Sequence, residues 1–344
     1  MAPYMPAEWH RHEATILTWP HDASIWRGVH AEVERTFVEL ATRLSQVEKV
    51  YINVPNEEWR TRVAKLIRAE GGAMDMVHAL LVASNDVWAR DHGPTVLLDR
   101  GGAEGPRRQF LHWKFNAWGG KYASELDAQV PEHLERLLSI QRVAVPLVME
   151  GGALEVNGAG DLMTTESVLL NPNRNPGVSR QQLEDQLRQL LGVRQILWLG
   201  DGLEGDDTDG HIDDIARFVD DHTVVVACPA DSSHPDFAVM QDNLNRLCTY
   251  RTHQGSALRV VKLPMPEPVL YAGEHLPASY ANFYIANGIV LVPVFHQPSD
   301  GEALSILSEL MPDHDVVGID SRALVSQYGA IHCVTQQVPA LTRG

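Results

Sequence analysis

The sequence predicts a mixed α/β protein built from one kind of unit used several times. Three observations predict it. Short, β-branched runs of strand length recur along the whole chain. Amphipathic stretches with a helical period alternate with them. Polar residues that follow or end an apolar stretch recur at Asp91, Glu150 and His211, in steps of about sixty residues, and two further steps lead to Tyr280–Asn282 and Cys333. A period of that size points to a supersecondary unit stacked or arrayed, each copy giving one polar cluster to a shared centre. Sequence identity between the units is negligible, so the period rests on position alone.

Taken in order, AEVERTFVELATRLSQ (31–46) sets Val33, Phe37, Leu40, Ala41 and Leu44 on one helical stripe. VYINV (50–54), TVLL (95–98), RVAVPLV (142–148) and SVLL (167–170) read as strands, each bounded by Gly, Pro, Asn or Asp. SRQQLEDQLRQLLG (179–192) begins on a serine that can cap a helix and ends on a glycine that can stop one. QILWL (195–199), TVVVAC (223–228), RVVKL (259–263) and GIVLVPVF (288–295) are further strands, and 235–250 and 300–312 are further helices. No low-complexity linker interrupts the order, so residues 1–344 are expected to form a single domain.

Composition narrows the function. The chain has 344 residues, 44% hydrophobic and 21% charged, and a net charge of −17. Nucleic acid and anionic membrane call for a basic stripe, which such a balance disfavours. A small cation suits it, because a negative field concentrates cations. The three cysteines, Cys228, Cys248 and Cys333, have no framework spacing, which points to a reducing compartment. The N-terminal residues show no signal-peptide core, and the apolar runs are too short to span a bilayer. A cytoplasmic location is expected.

The segment GDDTDGHIDDIARF, from residue 205, sets five aspartates around one histidine. In a strand or loop, alternation would put His211 and Asp213 on one face. Such a pair can ligate a metal or act as an acid–base pair on a bound substrate. The chain has no HExxH, no EF-hand loop and no zinc spacing of cysteines, so no metal is expected. In NDVWARDHGPTVLL, Asp91 precedes a turn into a strand, and Trp88 lies just before it. In MEGGALEVN, Glu150 ends an apolar strand at a glycine pair that allows close backbone approach. Cys333 stands in a polar, turn-rich segment, GAIHCVTQQVPA, whereas Cys228 closes an apolar strand and Cys248 lies in a helix. Any of these residues alone could be structural. Together, one cysteine, one histidine and three carboxylates suit a guanidinium, which carboxylates hold through paired N–H donors and whose charge lowers the pKa of a nearby thiol.

Seven ordered segments carry a resemblance: MPAEWHRHEATILTWP, NDVWARDHGPT, WKFNAWGGKY, EGGALEVNGAGDLMTTESVLLNPNRNP, DTDGHIDDIARF, ASYANFYIANG and IHCVTQQ. They resemble the agmatine deiminases, in the bacterial peptidylarginine-deiminase branch of the guanidine-modifying enzymes. The resemblance implies a pentein fold, five ββαβ units around a pseudo-fivefold axis. It implies that Cys333 attacks the guanidinium carbon and that His211 serves as acid and then base. Asp91 and Asp213 would grip the guanidinium, Glu150 would orient His211 or the substrate, and Trp88 and Gly329 would lie against the substrate. Asp206, Asp207 and Asp209 are expected to shape the loop or lie at the surface, and Asp214 to face away. The implied reaction turns agmatine into N-carbamoylputrescine and ammonia without a cofactor. Free arginine or peptidyl arginine are the alternative substrates, with Arg90 or Arg174 available for a carboxylate. The resemblance is compatible with a homo-oligomer. The family's segment before the cysteine is richer in glycine and carries an Asn, whereas Tyr328, Gly329 and Ala330 stand here.

Overall fold

A computed structural model describes residues 3–26, 28–99, 101, 105–271 and 273–341. Among these residues one pattern recurs: a strand, a second strand antiparallel to it, a helix, and a third strand parallel to the second. Thr95–Asp99, Arg107–Lys114, helix Val130–Leu138 and Gln141–Val148 form one such unit. Glu155–Val156, Asp161–Thr165, helix Arg180–Leu191 and Gln195–Leu199 form the next. Ala216–Phe218, Thr223–Ala227, helix Phe237–Thr249 and Arg259–Leu263 follow. Tyr284–Ala286, Ile289–Val294, helix Asp300–Leu310 and Asp315–Asp320 are the fourth.

The fifth unit is assembled from both ends of the chain. Gln336–Pro339 pairs antiparallel with His12–Thr18, which runs parallel to Lys49–Val54 across helix His30–Ser45. Ala14 therefore faces Val338 on one side and Lys49 on the other. Helix Glu57–Ala69 and strand Val77–Leu81 extend this seam unit.

Hydrophobic burial closes the ring. Each of five apolar clusters is shared by two successive units. Ala14, Ile16 and Val338 of the seam unit pack with Val96, Phe110 and Leu134. Leu97 and Leu111 pack with Leu183 and Leu187, and Leu197 and Leu199 with Val224 and Met240. Val225 and Leu263 pack with Val290 and Leu307. Leu291 and Ile319 return to Leu17 and Phe37 of the seam unit. No unit buries its apolar faces alone, so the core exists only when all five are in place. This is the pentein architecture implied by the resemblance.

Local sequence sets the elements as expected in most places. Helix Arg180–Leu191 has a full capping box between Ser179 and Gln182, worth about 1 kcal/mol, and stops at Gly192 with φ 68°. SVLL (167–170) is a correction. Glu166–Leu169 is a helical turn capped by Thr165, whose hydroxyl accepts from the Val168 N–H. The strand is the preceding DLMTT, Asp161–Thr165, because a short apolar run does not declare its period. Among the described residues, no helix is long and apolar enough to cross a membrane.

Candidate active site

Each unit delivers polar side chains from the turn just before its first strand. Asp91 lies in the single turn Ala89–His92 ahead of Thr95–Asp99. Glu150 precedes the 3-10 turn Gly151–Ala153, and His211 precedes the 3-10 turn Ile212–Asp214. Asn282 stands before Tyr284–Ala286, and Cys333 before Gln336–Pro339. The sixty-residue step of the sequence is therefore the repeat of the fold. His211 and Asp213 sit on a turn and not on an alternating strand, yet both reach the same place.

That place is tightly built and buried. His211 and Glu150 are fully inaccessible, and Asp213 and Cys333 nearly so. His211 Nδ1 lies 3.8 Å from Asp91 Oδ1, and Nε2 lies 3.7 Å from Glu150 Oε2. Cys333 Sγ is 3.8 Å from Asp213 Oδ2 and accepts from Asn282 Nδ2 at 3.1 Å. Asp91 is oriented by Trp118 Nε1 at 3.0 Å and the Gly152 N–H at 2.9 Å. Glu150 Oε1 accepts from Arg174 Nε at 2.7 Å. Gly152 is needed for proximity: a Cβ there would stand 2.5 Å from His211 Nδ1 and 3.0 Å from both Asp213 Oδ2 and Asp91 Oδ1. Gly329 packs against the Trp88 ring, where a Cβ would come within 2.3 Å.

The electrostatics follow from burial and crowding. Burial lifts the Cys333 thiol well above its usual range, and the charges of Asp213, Asp214 and Asp91 lift it further. Burial opposes a charged His211, but Asp91, Glu150 and Asp213 outweigh it and raise the imidazole to about 9. Burial raises Asp91, offset only in part by His211. For Asp213, burial is overcome by the bond and charge of His332, aided by His211 and Arg217, so the carboxyl is held low. At neutral pH the arrangement is a neutral thiol beside an imidazolium.

A narrow cavity opens onto Cys333 and Asp91, lined also by Asp86, Trp88, Trp118, Tyr122, Asp207 and Gly329. Arg90 and Arg174 are not part of its lining. Arg90 is buried on Glu8 at 3.2 Å and Gln337 at 2.7 Å, and Arg174 pairs with Glu150 and, at 2.6 Å, with Asp209. Asp206 shapes the loop as expected, accepting from the backbone of Thr208, Gly210 and His211. Asp207 meets Tyr122 and Lys121, and Asp209 meets Lys121. Asp214 corrects the expectation that it faces away: it is buried, bonded to Asn282 at 2.9 Å, and acts on the thiol.

Asp213, Asp214 and Cys333 bring possible metal-ligand atoms within 4.8 Å of one another. Burial, with Asp213 and Asp206 beside it, raises Asp214 well above the usual carboxyl range, and burial raises the Cys333 thiol as well, so both hold their protons more tightly than usual. Metal ligands must be deprotonated, so this donor set suits a cation that brings N–H donors better than it suits a metal.

Sequence reasoning gave no role to Glu8, Trp118 or Arg217, and reached Asn282 only as the end of the repeat step at Tyr280–Asn282. All four stand inside the quoted segments MPAEWHRHEATILTWP, WKFNAWGGKY, DTDGHIDDIARF and ASYANFYIANG, which was the available signal.

A closed ring of five ββαβ units with a cysteine, a histidine and acidic side chains gathered at its centre defines a pentein of the guanidine-modifying kind. A family model for the Porphyromonas-type peptidyl-arginine deiminases matches residues 4–339, and the chain belongs to that family. A Vibrio parahaemolyticus protein provisionally named an agmatine deiminase is 34% identical over 359 residues, covering 98% of this chain and 97% of that protein. The crystal structure of a Porphyromonas gingivalis protein, provisionally named an arginine deiminase, is 40% identical with a TM-score of 0.90 and covers 98% of both chains. A substrate-bound variant of the C. jejuni agmatine deiminase is 30% identical with a TM-score of 0.89, covering 99% of this chain and 97% of that one. The family expected from the seven segments is the family found.

Proposed function

We propose that this chain is a hydrolase that converts agmatine to N-carbamoylputrescine and ammonia through a covalent amidino-cysteine on Cys333. One observation carries the reading. Glu150 Oε2, Asp213 Oδ1 and both ring nitrogens of His211 are buried and have no hydrogen-bond partner among the described residues. Groups left so cost about 1–3 kcal/mol each, and one of them belongs to Asp213, whose other oxygen lies 3.8 Å from Cys333 Sγ. A planar cation with N–H donors along its edges answers Asp213 Oδ1 and leaves its carbon open to sulfur, while Glu150 Oε2 faces His211 Nε2 at 3.7 Å.

The chemistry follows from the charges. As the guanidinium settles on Asp91 and Asp213, it offsets the carboxylates that hold the thiol up, and Cys333 releases its proton to solvent. The thiolate adds to the guanidinium carbon. The His211 imidazolium gives its proton to the departing nitrogen, and ammonia leaves. The neutral imidazole then takes a proton from water, the resulting hydroxide adds to the amidino carbon, and the C–S bond breaks. The hydroxyl proton passes to the departing thiolate, leaving the ureido product. Glu150, fixed by Arg174, holds the charged His211 in place.

The cavity supports agmatine over arginine. Asp86 and Asp207 line it, and among the described residues its lining contains no lysine, arginine or histidine. An ammonium tail meets carboxylates there, whereas a substrate carboxylate meets no cation in that lining: Arg90 and Arg174 are engaged elsewhere, and Lys121 beside it is paired with Asp207 and Asp209. Sparse cysteines suit a cytoplasmic setting, and the whole chain acts as one catalytic unit. The test is ammonia release from agmatine, free arginine and a blocked arginyl peptide, with chelator present throughout. Agmatine-selective turnover, lost in Cys333→Ala, is the expected result. Equal or better turnover of either arginine substrate would overturn the choice of substrate, and an active Cys333→Ala would overturn the chemistry.

A further inference from the structure

Glu8 lies behind the reacting groups and has no part in the chemistry above. It comes from the segment ahead of the first strand, and only 5% of it is exposed. Its Oε1 accepts from Arg217 Nη2 and from the Ile285 N–H, both at 2.8 Å. Its Oε2 accepts from Arg90 Nη2 at 3.2 Å and meets His332 Nε2 at 2.8 Å. The other nitrogen of that ring, Nδ1, meets Asp213 Oδ2 at 2.6 Å. Arg90 and His332 directly precede Asp91 and Cys333 in the chain, so one carboxylate touches the back of several units at once.

We propose that Glu8 and His332 are positioning residues, a relay that pins Oδ2 of Asp213 and so presents Oδ1 to the substrate guanidinium. An imidazole set between two carboxylate oxygens has a donor facing each of them, and the ring cannot turn without losing both bonds. The free oxygen agrees with this: Asp213 Oδ1 is buried and unpartnered. Burial disfavours charge on Glu8 and on Asp213, yet both are held low, Glu8 by Arg217, His332 and Arg90, and Asp213 chiefly by His332. Each ring nitrogen of His332 thus faces a carboxylate oxygen, Nδ1 at 2.6 Å and Nε2 at 2.8 Å. Glu8, Arg90, Arg217 and Glu155 surround the relay on one side. His211, Asp91, Asp206 and Asp214 face Asp213 on the other. The proposal rests on the reading that Asp213 holds the guanidinium.

Glu8→Gln keeps the side-chain size and leaves Arg217 on Glu155 and Arg90 on Gln337. His332→Gln keeps Glu8 with both arginines and cuts only the link to Asp213, so it serves if the first variant fails to fold. In either variant kcat/KM is expected to fall about 10²-fold, as for a reacting group misplaced by about 1 Å. In an Asp86→Asn background, which removes the dependence near pH 7, the acid limb of kcat/KM should also move to higher pH by about one unit or more, because Asp213 loses the cation that holds it low. A loss of stability alone would not move that limb. Far-downfield proton NMR gives a readout independent of turnover: the parent shows two ring N–H signals lost in His332→Gln, and Glu8→Gln loses the Nε2 signal and keeps Nδ1. A folded variant with the parent's kcat/KM and acid limb would overturn the relay, as would a parent ring bearing one proton. A parent that turns over no guanidine would instead sink the functional reading, and the NMR signals would still decide the relay.

Discussion

Gly152→Ala adds one methyl group at the closest point of the site. Its Cβ would stand 2.5 Å from His211 Nδ1, with Asp213 Oδ2 and Asp91 Oδ1 each at 3.0 Å. Restoring ordinary contact, at 3.4 Å or more, asks the imidazole to move by about 0.9 Å, and the two carboxylates by about 0.4 Å each. All three side chains are buried, so none can swing into solvent. A shift near 1 Å in a reacting group costs on the order of 10²-fold in rate, or about 2.7 kcal/mol of barrier. Overpacking should cost the fold about 1–3 kcal/mol as well. The assay is kcat/KM for ammonia release, with a denaturant midpoint measured on the same protein. The expected variant is folded and slowed about 10²-fold. If kcat/KM stays within about threefold of the parent, the site is soft and the geometric reasoning fails.

Two further predictions concern pH. With His211 raised to about 9 and required as an imidazolium, kcat/KM should fall as pH rises through about 9. The same shift contributes stability that is complete below the ordinary histidine value, about pH 6.5, and lost as pH rises through about 9. A flat profile from pH 8 to 10, or a denaturant midpoint that rises across it, would count against the assignment. Burial, with Asp127 nearby, pushes Asp86 up to about 7, so KM for agmatine should drop as pH rises through about 7 and Asp86 ionises. Asp86→Asn should raise KM about tenfold at pH 8, leave kcat unchanged and flatten that dependence. An unchanged KM in the variant would remove Asp86 from recognition of the amine.

Asp91, Glu150, His211 and Cys333 were legible in the sequence because each stands at a turn just ahead of the first strand of a unit. A period in position survives where identity between units does not. The seam unit was illegible, since His12–Thr18 finds its antiparallel partner at the far end of the chain. Glu8 was hidden for the same reason: its bond to His332 spans 324 residues. Asp214 was misread because adjacent aspartates were expected to alternate, whereas the 3-10 turn Ile212–Asp214 brings both to the thiol. SVLL was misread because three apolar residues after a serine fit either period, and the Thr165 cap decides between them only once the turn is formed.

The acidic centre has a consequence for reactivity that separates it from an ordinary cysteine nucleophile. Burial, together with the carboxylates of Asp213, Asp214 and Asp91 that crowd Cys333, holds its thiol well above the usual range. A positive charge in the guanidinium position should lower that thiol by about 1–3 units, and so increase the thiolate population about ten- to a thousandfold. The cation is thus both the reactant and the means of generating its nucleophile. A cationic haloacetamidine and its neutral haloacetamide counterpart differ in that charge and little in shape. Each inactivation rate should be divided by the reagent's rate with a small free thiol, which removes intrinsic reactivity. On that scale the cationic reagent should inactivate at least about tenfold faster at pH 7, with the label on Cys333. The advantage should shrink as pH rises and the thiol ionises unaided. Equal normalised rates at pH 7 would mean that the thiolate exists before the substrate arrives.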